Sequence, residues 1–507
     1  MMQKVLVIHG PNLNLLGERE PGVYGNTTFA DLNRMILDRA EGLGLECEIF
    51  QSNHEGAIID KLHAARNTFD VVFINAGAYN HYSYAIHDAI HDIRIPCVEV
   101  HISNIYARDE FRSHSVLSPV CAGTIAGFGI NGYFLALQAL SEMEGDGFIM
   151  QSRLEKLMQQ LPPETDAAVI QSDVNRRYFT GMQSSAGTVV CFRDAAYLII
   201  DFRYIEKARE CVKDCTVIEQ HDLFAQLQEL FQKHSAKTVS VEAMEMTLSQ
   251  FSKLKQQLGN LVRLDYSDTL SRVIYACRTV KSEEEIDKIR RAQRIAEIAF
   301  ADICNFLRPG ISERDVMLRL NQTMMENGSE GESFPTIALT GSATSMPHGV
   351  PSAQRIVQSG DFVLMDYGAM VDGYHSDMTR TVCVGKPSKK MQQVYDIVLK
   401  AQAAGIVGAK PGITGRDMDK LARDIIEEAG YGDNFGHSLG HGVGLEIHEF
   451  PNASPGTLAK LETGNVVTVE PGIYLPGEFG VRIEDFVVIR ENGCENLTEA
   501  PKQLTVL

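Results

Sequence analysis

Four carboxylates and one imidazole in the last third of the chain constrain its folding more than any other feature. They are Asp366, Asp377, His441, Glu470 and Glu484, in the strings VLMDYGA, YHSDMTRT, GHGVGLEIH, VTVEPGIY and GVRIEDF. Most sit on apolar, strand-like runs, where acids repel one another unless cations lie among them. Four negative charges balance two divalent ions. Oxygen-rich ligation with a single His suits Mn, Co, Fe or Zn better than a thiolate-held metal. Two such ions close together make a hydrolytic centre, because water held between them ionises near neutral pH.

Asp366 and Asp377 stand at opposite ends of DYGAMVDGYHSD, which is predicted to be a hairpin turned near Asp372-Gly373. Glu470 and Glu484 repeat the device across EPGIYLPGEFGVRIE, whose Gly and Pro content signals a second tight return. Taken singly, each acid could be a solvated turn residue. Asp366 and Glu470, flanked by VLM and VVTV, resist that reading. His348, His437 and His448 are weaker candidates, since each could equally be structural.

At 507 residues the chain exceeds one core and suggests about three domains at roughly 150 residues each. A net charge of −19, shared by both halves, argues against a nucleic-acid surface. The ten cysteines are scattered with no C-x-x-C, and MMQKVLVIHG runs straight into a strand without a leader pattern. No apolar run approaches the roughly 18–20 residues a membrane span needs. The expectation is a cytoplasmic protein that engages neither membrane nor nucleic acid.

Up to about residue 140, the strand-like runs KVLVIHG, LECEIFQ, FDVVFINAG and IPCVEVHI alternate with amphipathic helical patterns. That βαβ alternation predicts an α/β, doubly wound parallel sheet, with ligands at the carboxyl ends of the strands, where Asn12, Asn75 and His101 fall. SEMEGDGFIMQ breaks the pattern as a linker. A mixed α/β region follows to about Cys277, and the metal-ligand candidates occupy the rest. The expected domains are 1–147, 148–277 and 278–507.

In the first domain, Arg19 and Tyr24 share a Gly/Pro-punctuated loop with the look of a lid. A guanidinium beside a phenol favours phenolate and makes Tyr a base. Asn75 and His81 follow a strand in FINAGAYNHYS, and VEVHISNIYARDEFRSHS presents His101, Ser103 and Arg112. Ser103 stands where it could cap a helix, which with Arg112 would receive a carboxylate. The strings GPNLNLLG, EPGVYG, NAGAYNH and EVHISN closely resemble the type II 3-dehydroquinate dehydratases, from Lys4 to about Leu140. The resemblance implies a flavodoxin-like domain converting 3-dehydroquinate to 3-dehydroshikimate through an enolate, with no cofactor. It implies Tyr24 as proton acceptor, Arg19 as transition-state stabiliser and His101 as proton donor to the departing hydroxyl. Asn12, Asn75, His81 and Arg112 would hold substrate, with Ile102 and Ser103 binding through backbone N–H groups. Asp88 would complete a neighbouring subunit's site.

The remainder, roughly Ser152 to Leu507, resembles the pita-bread-fold metallopeptidases, specifically the Xaa-Pro aminopeptidases and Xaa-Pro dipeptidases. NRRYFTG, SMPHGVPS, SDMTRT, FGHSLGHGVGLEIHE, TVEPGIY and GVRIEDF carry the likeness. It implies a creatinase-like α/β domain followed by an α+β pita-bread domain holding two divalent ions, Mn foremost. Asp366, Asp377, His441, Glu470 and Glu484 would be ligands, with Glu470 also assisting proton transfer. His348 and His448 would contact the peptide and its tetrahedral intermediate, Arg482 would orient a carboxylate, and His437 would line a subsite. Short peptides with proline second are the expected substrates. Homo-oligomers are expected, a dodecamer through the first part and dimer contacts through the second. Two alternatives stay open: a working dehydratase joined to an inactive binding module, or a first part that serves only to oligomerise the peptidase.

Overall fold

A computed structural model describes residues 4–18, 27–66, 68–93, 95–107, 114–142 and 152–507. Arg19, Tyr24 and Arg112 lie outside the described residues. The chain divides into two compact units, Met1–Ser152 and Arg153–Leu507.

In the first unit, β1 (Lys4–His9), β2 (Glu46–Gln51), β3 (Val71–Asn75), β4 (Cys97–His101) and β5 (Gly123–Ala126) form one sheet in the order β2-β1-β3-β4-β5. Every pairing is parallel. This is the flavodoxin-like order, whose switch point lies between β1 and β3. Period-two alternation builds both faces. Val5 and Val7 pack with α1 (Phe29–Gly42) and α4 (Asn131–Glu142), whereas Leu6 and Ile8 pack with α2 (Glu55–Ala65) and α3 (Tyr84–Ile93). Strand β5 was not expected: GTIA is short, glycine-led and not fully buried, too little pattern to register as a strand.

The second unit opens with a mixed six-stranded sheet, ordered β11-β10-β6-β7-β8-β9. Its strands are β6 (Ala167–Ile170), β7 (Thr188–Phe192), β8 (Ala196–Ile200), β9 (Thr216–Glu219), β10 (Thr238–Val241) and β11 (Arg263–Asp265). Helices α5 (Arg153–Gln160), α6 (Asp173–Thr180), α7 (Ile205–Cys211), α8 (Leu223–Lys233), α9 (Leu248–Leu258) and α10 (Thr269–Thr279) accompany it. One face shares a core with the rest of the unit through Leu270, Ile274, Ile286, Val443 and Phe486. These two parts therefore pack as one body.

The remaining strands are β12 (Ile337–Thr340), β13 (Asp361–Tyr367), β14 (Met370–Val371), β15 (Tyr374–His375), β16 (Met378–Val384), β17 (Gly440–Gly442), β18 (Glu449–Ala453), β19 (Val466–Val469), β20 (Gly472–Leu475), β21 (Phe479–Arg482), β22 (Asp485–Arg490) and β23 (Gly493–Asn496). They form sheets ordered β12-β13-β16 and β18-β17-β19-β22-β23, with the small hairpins β14-β15 and β20-β21. Helices α11 (Glu283–Phe306) and α12 (Glu313–Glu326) pack on the first sheet. Helices α13 (Lys389–Gly408) and α14 (Gly415–Glu428) pack on the second. Two antiparallel sheets, each backed by a pair of helices, give the pita-bread architecture. Ser282 and Glu285 close a capping box at the start of α11, as its polar opening anticipated. Among the described residues no helix is long and apolar enough to cross a membrane.

Candidate active sites

The predicted turn between the two aspartates is present. Asp372 and Gly373 have φ of 50° and 78°, the double left-handed geometry of a type I′ hairpin. The register differs from simple pairing of the acids. Asp366 faces Thr379 across β13-β16, and Asp377 stands just before β16. At the base of the hairpin, a Cβ on Gly368 would lie 1.9 Å from the Ser376 carbonyl oxygen. Glu470 and Glu484 likewise flank β20-β21, directly after β19 and directly before β22.

These hairpins bring the acids together. Ligand atoms of Asp377, His441 and Glu484 all lie within 4.8 Å of one another. His441 Nε2 is 3.5 Å from Asp377 Oδ2 and 3.4 Å from Glu470 Oε1. His441 Nδ1 donates to the Gly442 carbonyl at 3.1 Å, which leaves the Nε2 lone pair aimed at the acids. Burial and repulsion from Glu484, Asp366 and Glu470 drive the Asp377 carboxyl well above its usual range. Burial, Glu470 and Asp366 do the same to Glu484. Glu470 is pushed up to about 8, mainly by burial, with Arg482 opposing and Asp366 adding to the shift.

Buried oxygens of Asp366 (Oδ1), Asp377 (Oδ1) and Glu484 (Oε1) have no hydrogen-bond partner. Orphaned anionic oxygens converging on a neutral imidazole fit hard or borderline divalent cations, so the donor set suits the metals its chemistry suggests.

Arg482 organises the surrounding shell. Its Nη2 donates to Asp366 Oδ2, its Nε to Thr379 Oγ1 at 3.0 Å and its Nη1 to Tyr474 Oη at 2.9 Å. Thr379 Oγ1 in turn donates to Glu484 Oε2 at 2.6 Å. His437 Nδ1 donates to the Ser438 carbonyl, so the Tyr474 hydroxyl donates to His437 Nε2 at 2.9 Å. Burial and then Arg482 lower His437 to about 4, and burial and then His448 lower His441 to about 4. The His441 and His448 rings are 4.3 Å apart. Burial and then His348 lower His448, and His348 adds a lesser push to the lowering of His437. Sequence reasoning missed Tyr474 and Thr379. Tyr474 lies in the string EPGIY, but nothing local distinguishes it from a core aromatic.

In the first unit, Asn12, Asn75, His81, His101, Ile102 and Ser103 follow the carboxyl ends of β1, β3 and β4. Asn12 adopts φ 65°, and its N–H donates to Asn53 Oδ1 at 2.9 Å. Asn75 Nδ2 donates to Tyr133 Oη at 3.1 Å, and the Tyr133 hydroxyl reaches His9 Nδ1 at 3.1 Å. His81 Nδ1 donates to the His114 carbonyl at 2.8 Å. Asp88 is exposed and pairs with His87 at 3.0 Å. The capping expectation for Ser103 is corrected: Asn104 Oδ1 accepts from the Tyr106 N–H at 3.0 Å, and the turn that follows, Ile105–Ala107, is a short 3-10 segment. An Asx side chain reaches the N–H two residues on more readily than Ser does.

The missed residue in this unit is Glu99. It is fully buried and accepts from His101 Nε2 at 2.7 Å and from Ser115, Ser118 and Thr124 hydroxyls. Burial alone would raise its carboxyl, but His101, Ser118 and Ser115 outweigh that and hold it below its usual range. The signal was an acid inside the buried run VEV, two residues from His101 and therefore on the same strand face.

Residues 287–491 match Metallopeptidase family M24, residues 151–280 the Creatinase/Prolidase N-terminal domain and residues 3–141 Dehydroquinase class II. A peptidase of Bacillus subtilis, YqhT, is 42% identical over 343 residues, covering 68% of this chain and 96% of its own. The chain belongs to metallopeptidase family M24. Among solved M24-like structures, an Xaa-Pro dipeptidase from Bacillus anthracis has 38% identity and a TM-score of 0.67, covering 70% of this chain and 99% of its own. An X-Pro aminopeptidase from Thermotoga maritima has 37% identity and a TM-score of 0.66, covering 70% and 100%. This M24 chain thus joins a class II dehydroquinase domain to a part of prolidase-like fold that spans nearly the whole length of its relatives, and both parts belong to enzyme families.

Proposed function

We propose that the chain is bifunctional, dehydrating 3-dehydroquinate to 3-dehydroshikimate and hydrolysing peptides that carry proline second, with domains at 1–147, 148–277 and 278–507. The observation that carries the peptidase reading is the convergence of Asp377, His441 and Glu484 with orphaned carboxylate oxygens. The buried His101–Glu99 pair at the end of a strand supports the dehydratase reading.

In the dehydratase, Tyr24 takes the proton from the carbon next to the ketone, giving an enolate whose formation Arg19 assists by stabilising the transition state. The enolate collapses, the hydroxyl leaves, and His101 protonates it to water. Glu99 occupies Nε2, leaving Nδ1 to face substrate. Asn12, Asn75, His81 and Arg112 hold the substrate, the backbone N–H groups of Ile102 and Ser103 bind it, and Asp88 completes a neighbouring site.

In the peptidase, Asp366, Asp377, His441, Glu470 and Glu484 would hold two divalent ions, Mn foremost and Co, Fe or Zn compatible. Such ions supply an acidified water and a polarised carbonyl. Glu470 takes a proton from the attacking water and passes it to the proline nitrogen as the peptide bond breaks. His348 and His448 stabilise the tetrahedral carbon's oxygen, and Arg482 fixes Asp366. His437, held by Tyr474, lines the subsite. We place the protein in the cytoplasm as a homo-oligomer, a dodecamer through the first unit with dimer contacts through the second.

The deciding experiment assays the purified chain for both reactions before and after chelation. Peptide hydrolysis should vanish and return with added Mn or Co, while dehydration continues. Loss of dehydration on chelation, without dissociation of the assembly, would refute the metal-free assignment.

A further inference from the structure

A cavity of about 270 Å³ opens beside His448, with Met244 and Tyr275 on the N-terminal side and Phe450 on the other. Its mouth is apolar. Met244 and Phe450 are 56% and 51% exposed, and the Tyr275 and Phe450 rings lie 5.9 Å apart. Its floor is Arg278, whose side chain is buried. An arginine at the bottom of a peptide cleft would ordinarily receive a chain-terminal carboxylate through a two-pronged pair.

Here that role is already filled. Arg278 Nη1 donates to Asn175 Oδ1 at 2.8 Å, and Nη2 donates to Glu446 Oε2 at 2.7 Å and to Glu449. Its Nε is buried and out of reach. Lys281 Nζ also donates to Glu449, at 3.2 Å. Two cations and two carboxylates close on one another, and Glu446, the more exposed acid, fronts the cavity. An arriving carboxylate would meet Glu446 and be repelled, whereas an apolar side chain would find Met244, Tyr275 and Phe450.

We infer that this cavity is a subsite for an apolar side chain on the residue following proline, which makes the enzyme an aminopeptidase on longer peptides that discriminates against dipeptides. The inference rests on the Xaa-Pro reading above. Cleavage before proline leaves one residue on the amino side, so further chain extends on the carboxyl side. Glu446 is then a specificity residue: by occupying Arg278 it denies the pocket to a free terminus.

The test compares kcat/KM of the Mn-loaded full chain for Ala-Pro, Ala-Pro-Gly-amide, Ala-Pro-Phe-amide and Phe-Pro-Gly-amide. Ala-Pro-Phe-amide should exceed Ala-Pro-Gly-amide about tenfold, the yield of filling one apolar pocket, and Ala-Pro should be poorest. Tyr275→Ala should erase the advantage of Phe in third place. Met244→Ala, at an exposed position, should reduce it if the Tyr275 variant fails to fold. Glu446→Gln should raise Ala-Pro relative to the amides by about tenfold, since it removes the negative charge that an arriving carboxylate meets at the front of the cavity. Preference for Ala-Pro, indifference to the third residue, a Tyr275 or Met244 effect that follows the first residue, or an unchanged ratio in Glu446→Gln would each overturn the subsite alone. Failure to cleave any Xaa-Pro peptide would overturn the parent reading and the subsite with it.

Discussion

Glu99 Oε1 accepts from His101 Nε2 at 2.7 Å, two residues away along β4, with both side chains buried. The carboxylate thereby sets which imidazole nitrogen faces the sheet edge. Glu99→Gln keeps the shape and removes the charge. Its dehydration kcat should fall about a hundredfold, within the range a general acid contributes, with KM little changed. A kcat within about twofold of the parent would show that His101 needs no partner.

The acid cluster should be visible in stability without any turnover. Asp377→Asn removes one acid from a buried cluster whose members repel one another when ionised, so in chelator-treated protein it should raise the second unit's unfolding free energy by about 1–3 kcal/mol, the scale of one uncompensated buried polar group. With Mn present the order should reverse, because the parent gains more from the cation. Denaturant melts with and without Mn check this. Lower stability of the variant in both conditions would contradict a cation-dependent cluster.

Glu449 gives a pH signature of its own, distinct from that of the acid cluster. Burial would raise its carboxyl, but Lys281 and Arg278 together hold it below the usual 4.5. A carboxyl depressed on folding contributes stability that is fully present above 4.5 and is lost as pH falls through the lower folded value. Glu449→Gln should therefore cost about 3–5 kcal/mol at neutral pH, where it takes the carboxylate from buried Lys281 and leaves Arg278 with Glu446 alone. The gap to the parent should narrow steadily in acid. A pH-independent gap would assign the loss to packing.

The two units should also be separable. Fragments ending and beginning near Gly147, 1–147 and 148–507, should each fold, the first retaining dehydration and the second metal-dependent hydrolysis, as compact units joined by a Gly- and acid-rich segment do. Calorimetry and both assays on the fragments would decide. A fragment that unfolds alone while the full chain melts as one transition would show that the units depend on each other.

The parallel sheet was legible because Val5 through Ile8 alternate between two cores, a pattern a short window reveals. The acid cluster was legible because Asp366 and Glu470 interrupt apolar strands, which costs too much without a purpose. What escaped reading depended on distant partners. Glu99 looks like one odd residue until His101 and three hydroxyls surround it, and Arg278 looks like a helix-end charge until Glu446 and Glu449 arrive from about 170 positions away. Tyr474 carries no local mark, since its polarity matters only where His437 and Arg482 meet it. Ser103 misled because cap preference is local, and Asn104 competed successfully.

The hairpin joining Asp366 to Asp377 is fastened at both ends. At its base Gly368 and Ser376 are too close for even a methyl group. At its tip the Gly373 N–H donates to Glu330 Oε2 at 3.0 Å, and a Cβ there would meet the Arg177 guanidinium at 2.3 Å. Neither glycine leaves room for a side chain, so the spacing of the two aspartates depends on residues that carry no acid, and Gly368→Ala or Gly373→Ala would shift Asp366 against Asp377 without touching either one.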